Sequence, residues 1–334
     1  MVAGIEDYSA AIGVPQMVKA PSLRGGHPVE RNGRLLKYAG GFCVVYPYDV
    51  RGRKYAVRCW HTPVQSVQDN LDTILSVVKR SGLPYFVPCS YVPDAIMTAK
   101  GMQPAVVMDW VEADPLKKYI GDNIGRPAVL LDLADEFLRM TSALHKAGIS
   151  HGDLQHGNIL VRHDGELTLV DYDSMYVPGM MNVPDEIKGL EGYQHPARSR
   201  QKYRGPKSDY FSELVIYTSI RALSSHPELW RRYNLANTET MLFTEADIRS
   251  GGTTEIFRII ESDSDLRHLG RALKDALREN SLDRIIPLED IVCGQAESLV
   301  GSISGRWDSI SFKATPFQSN IDIFNCLKDI CSRW

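Results

Sequence analysis

The chain has 334 residues, 43% of them hydrophobic and 24% charged, which is the composition of a folded globular protein with one large or two ordinary domains. A formal net charge of −3 and a pI near 6.3 give no general electrostatic reason to bind nucleic acid or an anionic membrane. The six cysteines form no CxxC pair, which favours reduced thiols over a disulfide framework or a metal cluster.

The first residues contain neither a basic region nor a long apolar run, so we do not expect them to be a secretory signal. No apolar stretch approaches the length needed to cross a bilayer. We therefore expect a cytoplasmic protein with no membrane partner. Residues 20–33 are rich in proline and glycine, and we expect an irregular lead-in rather than a separate domain.

Residues 35–60 have the pattern of strand, turn and strand. Tyr38 to Tyr46 is apolar and contains Gly40-Gly41, residues 50–54 form a polar turn, and Tyr55 to Trp60 is apolar again. Taken without their neighbours, the two glycines predict a Gly-Gly bend in a hairpin. Residues 64–79 then carry apolar side chains at helical spacing, which predicts a helix that has Asp69 and Asp72 on neighbouring surface positions.

Two further strands are predicted at residues 83–88 and 105–108. Asp114 followed by Pro115 is typical of a helix start, with the aspartate as N-cap and the proline at the first helical position. A long amphipathic helix is expected over residues 127–147, because the apolar periodicity ends there before Gly148.

This helix leads into His151-Gly152-Asp153-Leu154-Gln155-His156-Gly157-Asn158, which is followed by two apolar strands around Asp164-Gly165 and then by Asp171-Tyr172-Asp173. Asn158 lies five residues after Asp153, and Asp171 lies eighteen residues after it. Phosphoryl transfer needs an acid near the attacking hydroxyl and oxygen ligands for Mg²⁺. The three side chains supply these groups, and their joint spacing is far more specific than any one short motif.

The rest of the sequence reads as a loop followed mainly by helices. After an irregular stretch, residues 189–196 read Gly-Leu-Glu-Gly-Tyr-Gln-His-Pro, and Asp209 precedes a new apolar segment as a possible N-cap. Residues 244–247 resemble a capped helix start. Residues 265–278 and 321–334 are amphipathic at helical spacing.

These motifs resemble the protein kinase-like superfamily, with a catalytic loop and metal-binding turn similar to those of a bacterial branch of eukaryotic-like serine/threonine kinases. The resemblance covers residues 35 to about 290. It implies an α+β, bilobal fold with a small β-rich N-lobe and a larger helical C-lobe. The implied divisions are a lead-in (1–34), an N-lobe (35–111), a C-lobe (112–290) and a helical C-terminal extension (291–334).

The resemblance also implies ATP and Mg²⁺ as cofactors. Asp153 would accept or orient the proton of the substrate hydroxyl, with Asn158 and Gln155 beside it, and Asn158 and Asp171 would hold the metal. His151 would brace the loop. Gly40 and Gly41 are expected over the phosphates of the nucleotide, and Arg58 is expected to contact these phosphates. Asp69 is the favoured partner of Arg58, with Asp72 as the alternative. The backbone of Asp109 and Val111 is expected at the adenine edge.

Several positions depart from the kinase pattern. Arg58 stands where the family has a lysine, and Gln155 stands where serine/threonine kinases have a lysine that neutralises the transferred phosphate. Gly152 replaces the arginine that reads activation-loop phosphorylation, which predicts no switch of that kind. Ala197 follows Pro196 where the family has a glutamate, so the buried ion pair of that glutamate must be absent or replaced.

The leading hypothesis is an ATP- and Mg²⁺-dependent phosphotransferase that acts on serine or threonine of a protein partner. The altered cationic positions, Arg58 and Gln155, leave a pseudokinase scaffold as the alternative. A small-molecule kinase is a second alternative, since antibiotic- and lipid-phosphorylating relatives share the His-Gly-Asp loop. Only 42 residues separate Asp109 from His151, which leaves little room for the helices that form a small-molecule pocket in those enzymes.

Overall fold

An antiparallel sheet forms most of the N-terminal part of the chain, and helices dominate the C-terminal part. The computed structural model describes residues 2–62 and 65–294, without the side chains of residues 65–69. The predicted helix at 321–334 and most of the predicted extension at 291–334 therefore lie outside the described residues. The α+β composition agrees with the class expected from the sequence.

The described strands are short at the start of the chain and longer in the central sheet. They are β1 (His27–Pro28), β2 (Glu30–Arg31), β3 (Arg34–Leu35), β4 (Tyr38–Ala39), β5 (Cys43–Val50), β6 (Arg53–Trp60), β7 (Cys89–Thr98), β8 (Gly101–Asp109), β9 (Ala113–Pro115), β10 (Ile159–Arg162) and β11 (Leu167–Leu169).

The described helices are concentrated after residue 115. They are α1 (Ile5–Ile12), α2 (Gln65–Ser81), α3 (Leu116–Asp122), α4 (Pro127–Lys146), α5 (Tyr210–Ser225), α6 (Glu228–Arg232), α7 (Glu245–Arg249), α8 (Glu255–Ser262) and α9 (Arg267–Arg278). Residues 288–294 are also helical. No helix in the described part of the chain is long and apolar enough to cross a membrane.

The central sheet has the antiparallel order β1-β5-β6-β8-β7, with β4 also paired to β5. The turn between β5 and β6 is shorter than the predicted residues 50–54. It consists of Arg51 and Gly52, both at positive φ (57° and 86°), as a tight hairpin turn requires. The sheet separates two apolar layers because side chains alternate along each strand.

One face of the sheet packs on the N-terminal segment, and the other faces the rest of the protein. Val57 and Cys59 of β6 share a core with Ile12 of α1, whereas Trp60 shares a core with Ile74 of α2 and with helices such as α4 and α5. Residues 2–23 are thus packed directly against the sheet, and β1 pairs with its strand β5. They contain helix α1 and three-residue 3₁₀ turns as well as irregular backbone.

Two sequence expectations were wrong in local detail. Residues 83–88 form no strand, and only Phe86 makes an isolated bridge, with Leu169, because Pro84 and Pro88 cannot donate to a sheet ladder. Asp114 is not an N-cap. It lies in β9, which pairs with β10, and α3 begins one residue after Pro115.

The predicted elements around the catalytic loop are confirmed. Helix α4 covers residues 127–146 and ends at Ala147, and the hairpin of β10 and β11 pairs Ile159 with Leu169. This hairpin joins the loop at residues 151–158 to the turn that begins at Asp171. The loop at residues 151–158 therefore lies beside the turn that begins at Asp171.

Candidate active site

The loop from His151 to Asn158 is held from behind by a buried carboxylate. Asp209, 2% exposed and directly before α5, accepts hydrogen bonds from the backbone N–H groups of His151 and Gly152, the latter at 2.9 Å to Oδ1. Nε2 of His151 donates to the carbonyl of Val170 at 2.9 Å. His151 therefore braces the loop against the strand that precedes Asp171, and Asp209 fixes the loop backbone.

Gly152 makes this arrangement possible through its left-handed backbone, with φ at +79°. A Cβ atom at this position would lie 2.1 Å from the carbonyl oxygen of Ser174. Real Cβ atoms do not approach a backbone oxygen that closely, so any side chain would displace one of the two loops. The close packing of the loop on residue 174 thus leaves no room for a side chain at position 152.

Asp153 is half-buried in the loop, and both of its carboxylate oxygens accept hydrogen bonds. Oδ2 accepts from Nδ2 of Asn158 at 3.1 Å, and Oδ1 accepts from the backbone N–H of Leu190 at 3.1 Å. Burial raises the pKa of Asp153 to about 6, and the nearby Asp171 adds to that rise while His151 opposes it. A carboxyl group with a pKa near 6 is well suited to accept a proton near neutral pH.

Asn158 directly precedes β10 and Asp171 follows β11, so both lie at the same end of the hairpin. We call the space beside Asp153, Asn158 and Asp171 the cleft. Nδ2 of Asn158 donates to the backbone carbonyl of Asp153 at 2.8 Å, which leaves its Oδ1 to accept. Asp171 has φ at +67° and a side chain about one-third exposed (34%). Among the described residues no protein donor contacts Oδ1 of Asn158 or Oδ2 of Asp171.

The donor set suits Mg²⁺ better than a metal held wholly by protein. No group of three His, Cys, Asp or Glu side chains able to hold a metal occurs in the described part of the chain. Mg²⁺ is commonly held by one or two protein oxygens together with phosphates and water. Asn158 and Asp171 fit that pattern, with one amide oxygen and one carboxylate oxygen available.

Arg58 reaches the expected metal-binding turn, Asp171-Tyr172-Asp173, from strand β6 and is buried (5% exposed). It forms two hydrogen bonds with Asp173, both at 2.7 Å, and one with Oδ1 of Asp171 at 2.8 Å. Burial alone would lower the pKa of Arg58, but the two carboxylates outweigh it and raise the pKa further. Arg58 is thus a permanent cation between two aspartates.

Asp173 is the residue of this site that sequence reasoning missed. It is 3% exposed, and its carboxylate also accepts from Nε1 of Trp60 at 2.9 Å. Burial raises the pKa of Asp173, and the guanidinium of Arg58 opposes that rise. The available signal was the triplet Asp171-Tyr172-Asp173 itself, in which a second acid stands two residues after the first.

Of the two acids of helix α2 that were expected to pair with Arg58, the structure describes the side chain of Asp72 alone. The side chain of Asp69 lies outside the described residues, so its pairing with Arg58 stays a prediction. Asp72 is exposed, and its carboxylate makes no ion pair with Arg58 within the described structure. The described acids on Arg58 come from the metal-binding turn.

Gln155 turns back on its own loop. Its Oε1 accepts from the backbone N–H of Gly157 at 2.7 Å. The side chain is therefore used in the loop turn, and a role in catalysis stays a prediction.

The predicted nucleotide-binding residues of the sheet lie around the end of β4 and the end of β8. The backbone N–H of Gly40 donates to the carbonyl of Cys43 at 2.8 Å, and Gly41 has open space where a Cβ would be. The N–H of Asp109 donates to the carbonyl of Pro88 at 3.0 Å, and its carboxylate pairs with the exposed Arg53. Val111 lies in the link between β8 and β9.

The segment after the metal-binding turn returns over Asp153 and is anchored by a buried ion pair. Arg198, 1% exposed, contacts Asp185 at 3.1 Å, and its Nη1 donates to Oε1 of Gln194 at 2.7 Å. Nε2 of His195 donates to the carbonyl of Ala276 at 2.9 Å. The segment is thus held by a buried ion pair of its own and by a hydrogen bond to helix α9.

Comparison with known proteins gives distant matches. No family model matches the chain. Serine/threonine-protein kinase PknL of Mycobacterium tuberculosis is 26% identical over 119 residues, which cover 35% of this chain and 30% of PknL. PknA of the same species is 22% identical over 172 residues, covering 49% of this chain and 40% of PknA. The probable serine/threonine-protein kinase CPE1738 of Clostridium perfringens is 24% identical over 119 residues, covering 34% of this chain and 17% of that protein.

The chain thus spans less than half the length of these curated relatives. All three relatives carry the name serine/threonine-protein kinase. The similarity supports a place in the protein kinase-like superfamily and a kinase-like function for this chain.

Proposed function

We propose that this protein is an ATP- and Mg²⁺-dependent phosphotransferase with a two-lobed kinase fold, and that it transfers a phosphoryl group to a serine or threonine of a protein. The observation that carries the proposal is the meeting of Asp153, Asn158 and Asp171 at one end of a single hairpin. These are the acid and the two oxygen ligands that phosphoryl transfer requires. The three similar bacterial proteins are named kinases, which supports the same activity.

In this proposal Asp153 receives the proton of the attacking hydroxyl. Its carboxylate is oriented by Asn158 and by the N–H of Leu190, and its pKa near 6 leaves it ionised at neutral pH. An oriented base of this kind typically contributes about 10²–10⁴-fold to the rate. His151 and Asp209 act behind it, because they fix the loop backbone on which Asp153 stands.

Asn158 and Asp171 would hold Mg²⁺, which supplies charge neutralisation at the phosphates when it is bound. Asp153 and Asp171 bring two carboxylates close to the available oxygen of Asn158, while Arg58 is already paired with Asp171 and Asp173. A divalent cation held by these oxygens would offset the repulsion between the carboxylates and the phosphates of a nucleotide. We therefore expect nucleotide binding to depend strongly on Mg²⁺.

The segment around Gly189 supports a protein substrate. It passes directly over Asp153, with the Leu190 N–H on the carboxylate, and is held there by the buried pair of Arg198 and Asp185. Such a fixed surface beside the base can hold an extended peptide. The short link between Asp109 and His151 leaves less room for a small-molecule pocket.

The decisive experiment measures transfer of labelled phosphate from ATP in the presence of Mg²⁺. Wild-type protein is expected to label itself or a mixture of protein substrates, and Asp153→Asn is expected to lose most of that labelling. Asp164→Asn, which changes an exposed acid in the hairpin turn, is the matched control. Equal labelling by wild type and Asp153→Asn would rule the proposal out.

A pseudokinase scaffold is the second candidate, and one observation favours it. Three of the N–H donors of Arg58 are already bound to Asp171 and Asp173, so fewer remain for phosphates. Under this alternative the protein binds a nucleotide or a partner without turnover. Turnover that is lost in Asp171→Asn would exclude it.

A further inference from the structure

The metal-binding turn contains a buried carboxylate that the kinase pattern does not use. Asp173 accepts three hydrogen bonds from charged or aromatic N–H groups: two from Arg58 at 2.7 Å each and one from Trp60 at 2.9 Å. Charge-assisted bonds of this length are among the strongest in proteins, and the paired fork of the guanidinium fixes direction as well as distance. The carboxylate therefore has one defined position.

Both donors come from the same face of one strand. Arg58 and Trp60 are two residues apart in β6, so their side chains point to the same side of the sheet. The guanidinium carbon of Arg58 lies 5.2 Å from the centre of the Trp60 ring, and Trp60 is 2% exposed. Strand β6 thus presents a rigid pair of donors into which Asp173 fits.

The same guanidinium reaches the expected metal ligand. Nη2 of Arg58 donates to Oδ2 of Asp173 and to Oδ1 of Asp171. By fixing Nη2, Asp173 helps to hold Oδ1 of Asp171, while Oδ2 of Asp171 has no protein donor among the described residues. In protein kinases the corresponding cation is positioned by a glutamate on the small-lobe helix. Helix α2 contains no glutamate.

We propose that Asp173 is the positioning residue for Arg58 and, through it, for Asp171, so that the metal-binding turn supplies its own counter-ion in place of the helix acid. This proposal rests on the proposed phosphotransferase activity for its effect on turnover. It accounts for the arginine at position 58, because a forked side chain can bind both oxygens of Asp173 and still reach Asp171, whereas a lysine has a single nitrogen.

A double-mutant cycle in the full chain tests the pairing without any need for activity. Arg58→Met, Asp173→Asn and the combined variant are compared by urea unfolding, and Arg58→Met is also combined with Asp69→Asn. The free energy of unfolding of the Arg58→Met, Asp173→Asn double variant is expected to be no lower than that of the less stable single variant, because either change removes the same interaction. The second combination is expected to be additive. Coupling of Arg58 to Asp69 and not to Asp173 would overturn the proposal.

The Mg²⁺ concentration at half-maximal rate tests the functional part. Removing a group that orients a metal ligand typically weakens metal binding or activity by about 10–100-fold. We expect Asp173→Asn to raise the Mg²⁺ requirement by about that factor. Trp60→Phe is expected to raise it less, because it removes one donor and keeps the aromatic packing. Asp94→Asn, at an exposed position of β7, serves as the control.

The outcomes separate the two proposals. With an active wild type, an unchanged Mg²⁺ requirement in both Asp173→Asn and Trp60→Phe overturns the positioning role. A wild type without turnover overturns the phosphotransferase function, and the unfolding cycle still decides whether Asp173 is the partner of Arg58.

Discussion

Asp153 and Gly152 are neighbours whose chemical roles depend on the same tight loop. The burial that gives Asp153 its raised pKa arises because the Leu190 segment and the Asp171 turn both close on the loop. Gly152 allows that closure, since the Ser174 carbonyl occupies the space a side chain would need. Proton acceptance and close packing are therefore linked at adjacent positions.

Under the proposed phosphotransferase function, the pKa of Asp153 sets the pH dependence of turnover. Because the ionised form accepts the proton, and its pKa is raised to about 6, the rate at saturating nucleotide is expected to rise with pH up to about 6 and level off above it. Asp153→Asn is expected to reduce kcat by about 10²–10⁴-fold and to lose this pH dependence. A rate profile from pH 5 to 8 checks both points. An identical inflection in the variant would assign the titration to another group.

Substitution of Gly152 is expected to destabilise the fold strongly. Gly152→Ala places a Cβ against the Ser174 carbonyl in addition to the left-handed backbone cost, and should lower the free energy of unfolding by more than about 3 kcal/mol. Gly165→Ala is the matched control, because Gly165 also has positive φ but open space around it, and should cost about 1–2 kcal/mol. Urea unfolding measures both. Equal losses would show that backbone conformation alone accounts for the effect.

Among the helices, α4 and α5 are joined by a buried histidine between two acids. Nε2 of His145 lies 2.9 Å from Glu213 and Nδ1 lies 2.9 Å from Glu289. Burial alone would lower the pKa of His145, but the two carboxylates raise it to about 10. Burial raises the pKa of Glu213 to about 7, against the effect of His145. The charged imidazole thus ties three elements of the helical part together.

This network predicts a loss of stability at alkaline pH. A histidine with a raised pKa stabilises the fold fully below its ordinary value of 6.5, and the contribution disappears as pH rises through about 10. The raised pKa of Glu213 acts in the same direction. His145→Gln is expected to cost about 3–5 kcal/mol at pH 7, since it leaves a buried carboxylate unpaired, and less at pH 10. His163→Gln, in the exposed turn, is the control. A constant difference across pH would contradict the assignment.

The segment that passes over Asp153 is stabilised by a second buried ion pair, between Arg198 and Asp185. Arg198→Met leaves the fully buried Asp185 side chain with Lys188 as its hydrogen-bonded cation in the described structure, and is expected to cost about 3 kcal/mol. Adding Asp185→Leu should restore much of that loss, because a buried pair can be replaced by apolar side chains. Arg200→Met, at an exposed position, should change little. Urea midpoints decide, and no recovery in the double variant would speak against a simple ion pair.

How far these elements could be read from sequence depends on the range of the interactions that form them. Helix α4 and the β10–β11 hairpin were predictable because periodicity and the Asp164-Gly165 turn are local signals. Asp114 was misassigned because its pairing in β9 involves β10, nearly fifty residues away. The contact of Asp173 with Arg58 spans 115 residues, and no local pattern encodes such a contact.

On the scale of the whole molecule, the sheet is buried on both faces. Helix α1 covers the face that carries Val57 and Cys59, while the other face carries the cleft residues Arg58 and Trp60. The Tyr8 hydroxyl of α1 donates to the backbone carbonyl of Trp60 at 3.0 Å. The N-terminal segment is thus in direct contact with the strand that positions the metal-binding turn.

Removing packing from α1 should therefore weaken the whole fold. Ile12 is fully buried against the sheet, and Ile12→Ala is expected to lower the free energy of unfolding by about 2–5 kcal/mol. Val2→Ala, at a position 38% exposed, should change it by less than about 0.5 kcal/mol. Urea unfolding followed by tryptophan fluorescence measures the change, with Trp60 of the sheet as one of the five tryptophans of the chain. A negligible effect of Ile12→Ala would mean that α1 adds little to the stability of the sheet.

The contact between Gly152 and the Ser174 carbonyl also limits how this protein can be regulated or redesigned. An arginine introduced at position 152, to make the loop respond to a phosphate on the neighbouring segment, would have to displace the backbone at residue 174. That backbone is continuous with Asp173, and the carbonyl of Asp173 accepts a hydrogen bond from Arg204 at 2.6 Å. Phosphate control therefore cannot be added by one substitution; it would require the exchange of both loops together.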